Sequence, residues 1–278
     1  MNLGYMVPRP DFLSKHSQDL RPPPSFIEVP FHDREVNSSP ESISSRYRVS
    51  PEFKGSVTLH GEGETDGKRK ILFSSEDREK RVSYSTQLAS ALSTVQKRLD
   101  KHLIALIVHP PTHNRRFSRS KEIKWLAESL SILYEKANGI EICVESRGSD
   151  RQGKVIRILP EDILLLQDEV NRLGARISHC LDIAQSYVSF GIAGTVDMLN
   201  FFQKQNMHLG EIHASDVGKY STGHPRVSMS IGSGLIDWKA CIPRISQSNI
   251  RVLIEVIGGV KPYLESIDYL RKHSLLES

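Results

Sequence analysis

Eight short runs of apolar and β-branched residues, spread over nearly the whole sequence, constrain its fold most strongly. They cover residues 2–6, 25–30, 56–60, 103–109, 139–145, 175–182, 209–213 and 251–255. Each run has the length and composition of a buried strand in a parallel sheet. Amphipathic helical patterns separate the later runs, at 81–102, 118–137, 160–173, 195–206, 238–247 and 262–272. Eight strands that alternate with helices over about 250 residues predict an α/β protein with a (β/α)8 TIM barrel.

A doubly wound open sheet is the alternative fold with the same alternation of strands and helices. Such sheets often carry a glycine-rich phosphate loop after the first strand. Residues 5–9, Tyr-Met-Val-Pro-Arg, cannot form that loop, and this favours the barrel. The segment 33–54 is rich in serine, proline and charge, and we expect a loop or a one-turn helix there. We therefore predict a single TIM-barrel domain over 1–278, with an irregular insertion around 33–54.

The composition excludes several classes of protein. Hydrophobic residues make up 38% of the 278 residues, which is enough for a core and unlike a wholly disordered chain. Only three cysteines are present, so a disulfide scaffold is not expected. We find neither an apolar run of about 18 residues nor a signal-peptide pattern, and we expect a soluble cytoplasmic protein without membrane contact. The formal net charge of +4 permits an anionic partner without requiring one.

Six successive predicted strands end in a residue that can bind a metal ion. These residues are His60, His109, Glu145, Asp182, His213 and Glu255. A single strand-end acid is more often a helix cap or a surface residue, but repetition on six strands argues for a shared site. In a barrel these ends meet at one mouth, where three imidazoles and three carboxylates are costly to bury unpaired. We predict divalent ions there, with zinc, manganese or iron favoured by the mixed ligands and Glu145 placed to bridge two ions.

Short motifs around these residues carry a resemblance to a known family. The first strand reads Asn-Leu-Gly-Tyr-Met-Val, and residues 106–113 read Leu-Ile-Val-His-Pro-Pro-Thr-His. Residues 181–185, Leu-Asp-Ile-Ala-Gln, stand where the family has Asp-x-x-His. Residues 212–216, Ile-His-Ala-Ser-Asp, match its His-x-x-Asp, and 231–236 contain its Gly-x-Gly turn. In this order, the motifs resemble the xylose isomerase-like TIM barrels and, within them, endonuclease IV, the class II apurinic/apyrimidinic endonucleases.

The resemblance implies a centre with two divalent ions, zinc or manganese, with iron as a further option. His60, His109 and Glu145 would hold the first ion. The ligands of the second ion would be Glu145, Asp182, His213 and Glu255. Both sets of residue types are present in the sequence.

The third ion of the endonucleases has no matching ligands here. Its positions correspond to Gln185, Arg226 and Ser228, so we expect this ion to be absent. Arg226 could instead contact a phosphate through its planar guanidinium, and His224 could restore a ligand if its loop shifts. Solvated loop positions explain both residues equally well. The residues predicted to contact the substrate are Arg226, His224, Gln185, Arg147 and Arg115.

Three functions remain open at this point. The first is a metal-dependent phosphodiesterase or endonuclease that acts on DNA by metal-activated water, with abasic sites among the candidate substrates. Basic residues after the strand ends favour a phosphate-containing partner. The second is a metal-dependent sugar isomerase or epimerase, in which Glu145 and Glu255 exchange protons with a sugar or a small phosphorylated substrate. The third is a barrel without activity that keeps a metal for stability or binds a partner.

Overall fold

The described part of the chain consists of ten strands and seven α-helices. The computed structural model describes residues 2–7, 20, 23–31, 36, 38–47, 53–61, 73, 75–110, 116–146, 159–219, 225–245 and 250–273, with the backbone alone at Ser44, Lys101 and Pro225. The strands are β1 Asn2–Met6, β2 Phe26–Phe31, β3 Ser56–Gly61, β4 Leu103–Val108, β5 Glu141–Ser146, β6 Ser178–Asp182, β7 Leu209–Ala214, β8 Asp216–Lys219, β9 Pro225–Met229 and β10 Arg251–Ile254. The helices are α1 Pro40–Arg46, α2 Arg78–Leu99, α3 Arg119–Lys136, α4 Pro160–Arg172, α5 Ile183–Lys204, α6 Trp238–Ile245 and α7 Val260–Lys272. None of the helices described is long and apolar enough to cross a membrane.

Eight of these strands form a closed parallel barrel. The order around the barrel is β1, β10, β7, β6, β5, β4, β3, β2, and β1 pairs with both β10 and β2. The closing pair places Asn2 opposite Arg251. All eight predicted strands are therefore confirmed, and the alternative of an open sheet is wrong. The remaining strands, β8 and β9, form an antiparallel hairpin directly after β7 that the sequence patterns did not predict.

The segment predicted as an irregular insertion contains a helix of seven residues, α1. Our expectation of a loop or a one-turn helix at 33–54 is wrong in this respect. Ser39 caps the helix by accepting a hydrogen bond from the Ser42 N–H, and Pro40 occupies its first turn. These are ordinary helix-start signals, but the helix is too short for a hydrophobic period to stand out from the serines around it.

Helix α5 begins twelve residues earlier than the predicted start at 195. Asp182 caps its first turn, and Gly191 interrupts it with φ 69° and ψ −173°, which is not a helical conformation. The chain thus forms two helical segments that meet at a kink. A positive φ is accessible to glycine without strain, so the glycine permits the kink and also hides the first segment from a search for helical periodicity.

Side chains alternate between the inside of the barrel and the helix layer. Ala105, Ile107, Cys143 and Cys180 form a small apolar cluster inside the barrel, separate from the larger core between strands and helices. Every other residue of a strand faces inward, so Glu145 shares the inner face with Cys143 and Asp182 shares it with Cys180. The inward cysteines therefore provide a compact apolar layer beneath the polar ends of the strands.

The carboxylate of Asp216 organises the turn that follows the β8–β9 hairpin. It is fully buried, and four N–H groups donate to it: those of Val217, Gly232, Ile236 and the Trp238 indole. Two donors reach each oxygen, at 2.8 to 3.1 Å. The Gly-x-Gly motif noted in the sequence is therefore a turn folded around one buried acid.

Replacing this acid tests its structural role. We expect Asp216→Asn to lower the free energy of unfolding by about 2 kcal/mol, because the amide nitrogen would face N–H donors and leave them unpaired. Urea unfolding followed by circular dichroism measures the change. Asp237→Asn is the matched control, since Asp237 is exposed and its carboxylate accepts the Lys239 N–H near the start of α6. Equal stability of the two variants would show that the four contacts do not stabilise the turn.

Candidate metal centre

The structure brings the six strand-end residues to one mouth of the barrel. Their positions are His60 on β3, His109 directly after β4, Glu145 on β5, Asp182 at the end of β6, His213 on β7 and Glu255 directly after β10. All of them except Glu255 are buried. The parallel barrel explains this arrangement, because it aligns the carboxyl ends of all its strands at one face.

Three of these side chains meet in a compact group at the first predicted ion position. The Nε2 atoms of His60 and His109 lie 2.6 Å apart. Glu145 Oε2 lies 2.5 Å from His109 Nε2 and 3.5 Å from His60 Nε2. Two imidazole nitrogens and a carboxylate oxygen that converge so closely must share either a proton or a cation, since their lone pairs otherwise repel.

A second group lies on the other side of Glu145. His213 turns Nδ1 toward Oε1 of Glu145, at 3.9 Å, and toward Oε2 of Glu255, at 3.5 Å. Burial and the negative charges of Glu255 and Glu145 raise the pKa of Asp182 to about 7. Three carboxylates and one imidazole therefore face one another here. Glu145 takes part in both groups, with one oxygen directed to each.

The charges of the centre favour a cation. Burial would lower the pKa of His60, but the carboxylates of Glu28 and Glu145 raise it to about 10. A histidine takes up a proton so readily only where negative charge is in excess, and a divalent ion satisfies the same excess. Imidazole nitrogens with carboxylate oxygens suit zinc, manganese or iron. The residues present thus fit the ions that the sequence predicted.

Sequence analysis missed one residue of this centre, Glu28. It is fully buried on β2, with Oε1 3.0 Å from His60 Nδ1 and Oε2 3.3 Å from His213 Nε2. Burial would raise the pKa of Glu28, but the two histidines hold it well below its usual range. The available signal was a single acid inside the apolar run Phe-Ile-Glu-Val-Pro-Phe. The sequence prediction rests on strand ends, and Glu28 lies in the middle of its strand.

The structure describes two of the five residues that we predicted to contact the substrate. Gln185 lies in the first turn of α5, half-buried, and its backbone N–H donates to Asp182 Oδ1 at 2.9 Å. Arg226 is exposed on β9, opposite Gly218 of β8. His224, Arg147 and Arg115 lie outside the described residues.

A cavity of about 760 Å³ lies at the opposite, amino end of the barrel. Glu141, Ser178 and His208 are among the residues that line it. The candidate metal ligands are at the other mouth, where the segments after β3, β4 and β5 lie partly outside the described residues. We therefore locate the site by its converging side chains and not by this cavity.

Comparison with known proteins places the chain in a family. Among solved structures it resembles a D-tagatose 3-epimerase-like protein, with a TM-score of 0.66, 18% identity and coverage of 99% of this chain and 97% of that one. It resembles an AP endonuclease, family 2, from Brucella melitensis, with a TM-score of 0.67, 12% identity and 98% coverage of both chains. The 3-keto-D-glucoside 4-epimerase from E. coli is also similar, with a TM-score of 0.63, 13% identity and coverage of 98% and 99%.

The TM-scores support a shared fold, and at these low identities they support the fold alone. The similar structures include both sugar epimerases and an endonuclease. No curated protein sequence matches the chain. The family model described as xylose isomerase-like TIM barrel matches residues 55–273. The chain therefore belongs to the xylose isomerase-like TIM barrel family.

Proposed function

We propose that the chain is a divalent-metal-dependent phosphodiesterase that acts on DNA, with abasic sites as the first substrate to test. The observation that supports this most is the position of Glu145 between two ligand groups. One carboxylate oxygen faces His60 and His109, and the other faces His213. A single ion would occupy only one of these groups, whereas hydrolysis at phosphorus commonly uses a pair of ions, one for each group.

The residues that would hold the first ion are His60, His109 and Glu145. The second ion would be held by Glu145, Asp182, His213 and Glu255. Ions bound there would supply Lewis-acid polarisation of the phosphoryl group and a water of lowered pKa.

The chain's own residues then orient the reactants. Glu255 has the most accessible carboxylate of its group, with 19% of its side chain exposed, and we assign it proton transfer at the mouth. The Glu145 side chain is almost completely buried, and we assign it the role of holding the two ligand groups next to each other. Lys219 and Arg226 are exposed residues on adjacent strands of the β8–β9 hairpin directly after β7, and both could bind phosphate oxygens.

A sugar epimerase is the second candidate function. It is favoured by Glu145 and Glu255, which both face His213 Nδ1, at 3.9 and 3.5 Å, because two carboxylates in one ligand group suit proton exchange with a sugar bound to a single ion. The similarity in fold to the D-tagatose 3-epimerase-like protein is compatible with this chemistry.

The first experiment offers the protein both substrates. Protein stripped by chelator and reloaded with zinc or manganese is incubated with a duplex oligonucleotide carrying one abasic site, and in parallel with ketohexoses. We expect cleavage at the abasic site, loss of cleavage with chelator and no cleavage of the same duplex without the lesion. Epimerised sugar without cleavage would overturn the phosphodiesterase proposal.

His109→Asn separates the two functions further. We expect the variant to lose about 100-fold in cleavage rate, because the first ion would lose a ligand. An epimerase that uses only the second group would keep nearly all of its activity. His208→Asn is a matched control, since His208 is an exposed histidine at the opposite end of the barrel.

A further inference from the structure

Glu28 joins the two ligand groups from below. It sits on β2 opposite Thr58 of β3, so it lies one layer deeper in the barrel than His60. Its carboxylate contacts His60 through one oxygen and His213 through the other. These histidines belong to different groups, and a single buried side chain therefore touches one member of each.

Each histidine ring turns one nitrogen toward Glu28 and the other nitrogen toward its ligand group. His60 presents Nδ1 to Glu28 and Nε2 to His109 and Glu145. His213 presents Nε2 to Glu28 and Nδ1 to Glu145 and Glu255. A neutral imidazole has one N–H and one lone pair, and the lone pair must face a bound ion. The N–H of each ring must then face Glu28.

We propose that Glu28 is a positioning residue of the metal centre: its buried carboxylate fixes His60 as the Nδ1–H tautomer and His213 as the Nε2–H tautomer, and so orients one ligand of each ion. This inference rests on the two-ion centre proposed above and not on the identity of the substrate. Histidines that bind metals commonly donate their far N–H to a carboxylate, which fixes the ring orientation and increases its basicity.

The charge around Glu28 explains why an acid is needed at this depth. Within the described residues, neither oxygen of Glu28 receives a hydrogen bond of good angle, so its contacts with the two rings, at 3.0 and 3.3 Å, are chiefly electrostatic and favour an N–H on the nitrogen that faces the carboxylate. Glu211 adds a second carboxylate 3.6 Å from His213 Nε2, but Arg251 is 3.1 Å from its other oxygen. Glu28 has no such arginine among its described contacts, so the two imidazole rings are the polar groups that face its carboxylate.

The first test needs no variant at Glu28. Long-range nitrogen–proton NMR spectra of the zinc-loaded wild-type protein report which ring nitrogen carries the proton. We expect Nδ1–H for His60 and Nε2–H for His213, with the signals assigned from His60→Asn and His213→Asn. The same tautomer for both rings would overturn the inference.

The second test measures ion binding by calorimetry on the full chain. We expect two zinc ions for the wild type, weakened binding of one ion for each histidine variant, and about 10- to 100-fold weaker binding of both ions for Glu28→Gln. Thr58→Val is the matched control, because Thr58 is buried beside Glu28 and its hydroxyl has no hydrogen-bond partner in the described part of the chain. We expect the control to bind both ions as the wild type does.

Two outcomes of the binding test would contradict the proposal that Glu28 positions a histidine of each ligand group. Unchanged affinity in Glu28→Gln, or weakening of one ion alone, would overturn the joint role. A wild type that binds no divalent ion would remove the metal centre and this inference together. A protein that binds two ions but cleaves no phosphodiester would count against the proposed function alone.

Discussion

Glu145→Gln is expected to lower the rate of substrate cleavage about 10⁴-fold, the size of loss seen when a central catalytic residue is removed. The substitution keeps the shape of the side chain and removes its charge. Both ligand groups then lose the charge of the carboxylate that they share, since Oε2 faces His109 at 2.5 Å and Oε1 faces His213 at 3.9 Å. The loss should exceed that of His109→Asn, which affects one group only.

Steady-state kinetics and metal analysis on the same preparation measure this effect. We expect fewer than two bound ions together with the loss of rate. Glu141→Gln is the matched control, because Glu141 is at the other end of the same strand and contacts Arg251, Ser178 and His208 instead. A Glu145→Gln protein that retains two ions and normal turnover would show that this carboxylate does not bridge the centre.

Arg251→Met is expected to lower the free energy of unfolding by about 3–5 kcal/mol, the usual cost of removing one partner from a buried ion pair. The guanidinium lies 3.1 Å from Glu211 and 2.7 Å from Glu141 at the amino end of the barrel. Glu211 is fully buried, so without Arg251 it must remain a charge without compensation or take up a proton. Either outcome costs free energy.

Chemical denaturation of two further variants makes this result specific. Arg172→Met removes an arginine whose side chain is 67% exposed and that pairs with Glu169, and it should leave stability nearly unchanged. Adding Glu211→Gln to Arg251→Met removes the stranded charge, and we expect it to restore at least about 1 kcal/mol. A double variant less stable than Arg251→Met would contradict the ion-pair explanation.

The convergence of the strand-end residues could be predicted because it depends on rules with a short range in sequence. An apolar run predicts a strand. Because all strands of the barrel are parallel, the last residue of each strand must then lie at the same mouth. His60, His109 and His213 followed from this reasoning without any knowledge of their neighbours. The barrel adds only the closure that brings them into contact.

The features that were missed depend on tertiary contacts. Glu28 shows its role only when β3 and β7 bring two histidines to it. The β8–β9 hairpin is short and contains few apolar residues, so its sequence lacks the alternation of apolar and polar residues that predicts strands. The first part of α5 is visible only once Gly191 is known to bend the helix and not to end it.

The hydrogen bond that caps α5 makes one backbone amide, that of Gln185, a probe of ion binding at the centre. Asp182 uses Oδ1 to accept the Gln185 N–H, while its carboxylate belongs to the second ligand group. An ion that anchored this side chain would also secure the first helical turn of α5, which lies before the kink at Gly191. Hydrogen exchange at the single amide of Gln185 should therefore slow as the second ion binds, which makes local unfolding a measure of metal occupancy.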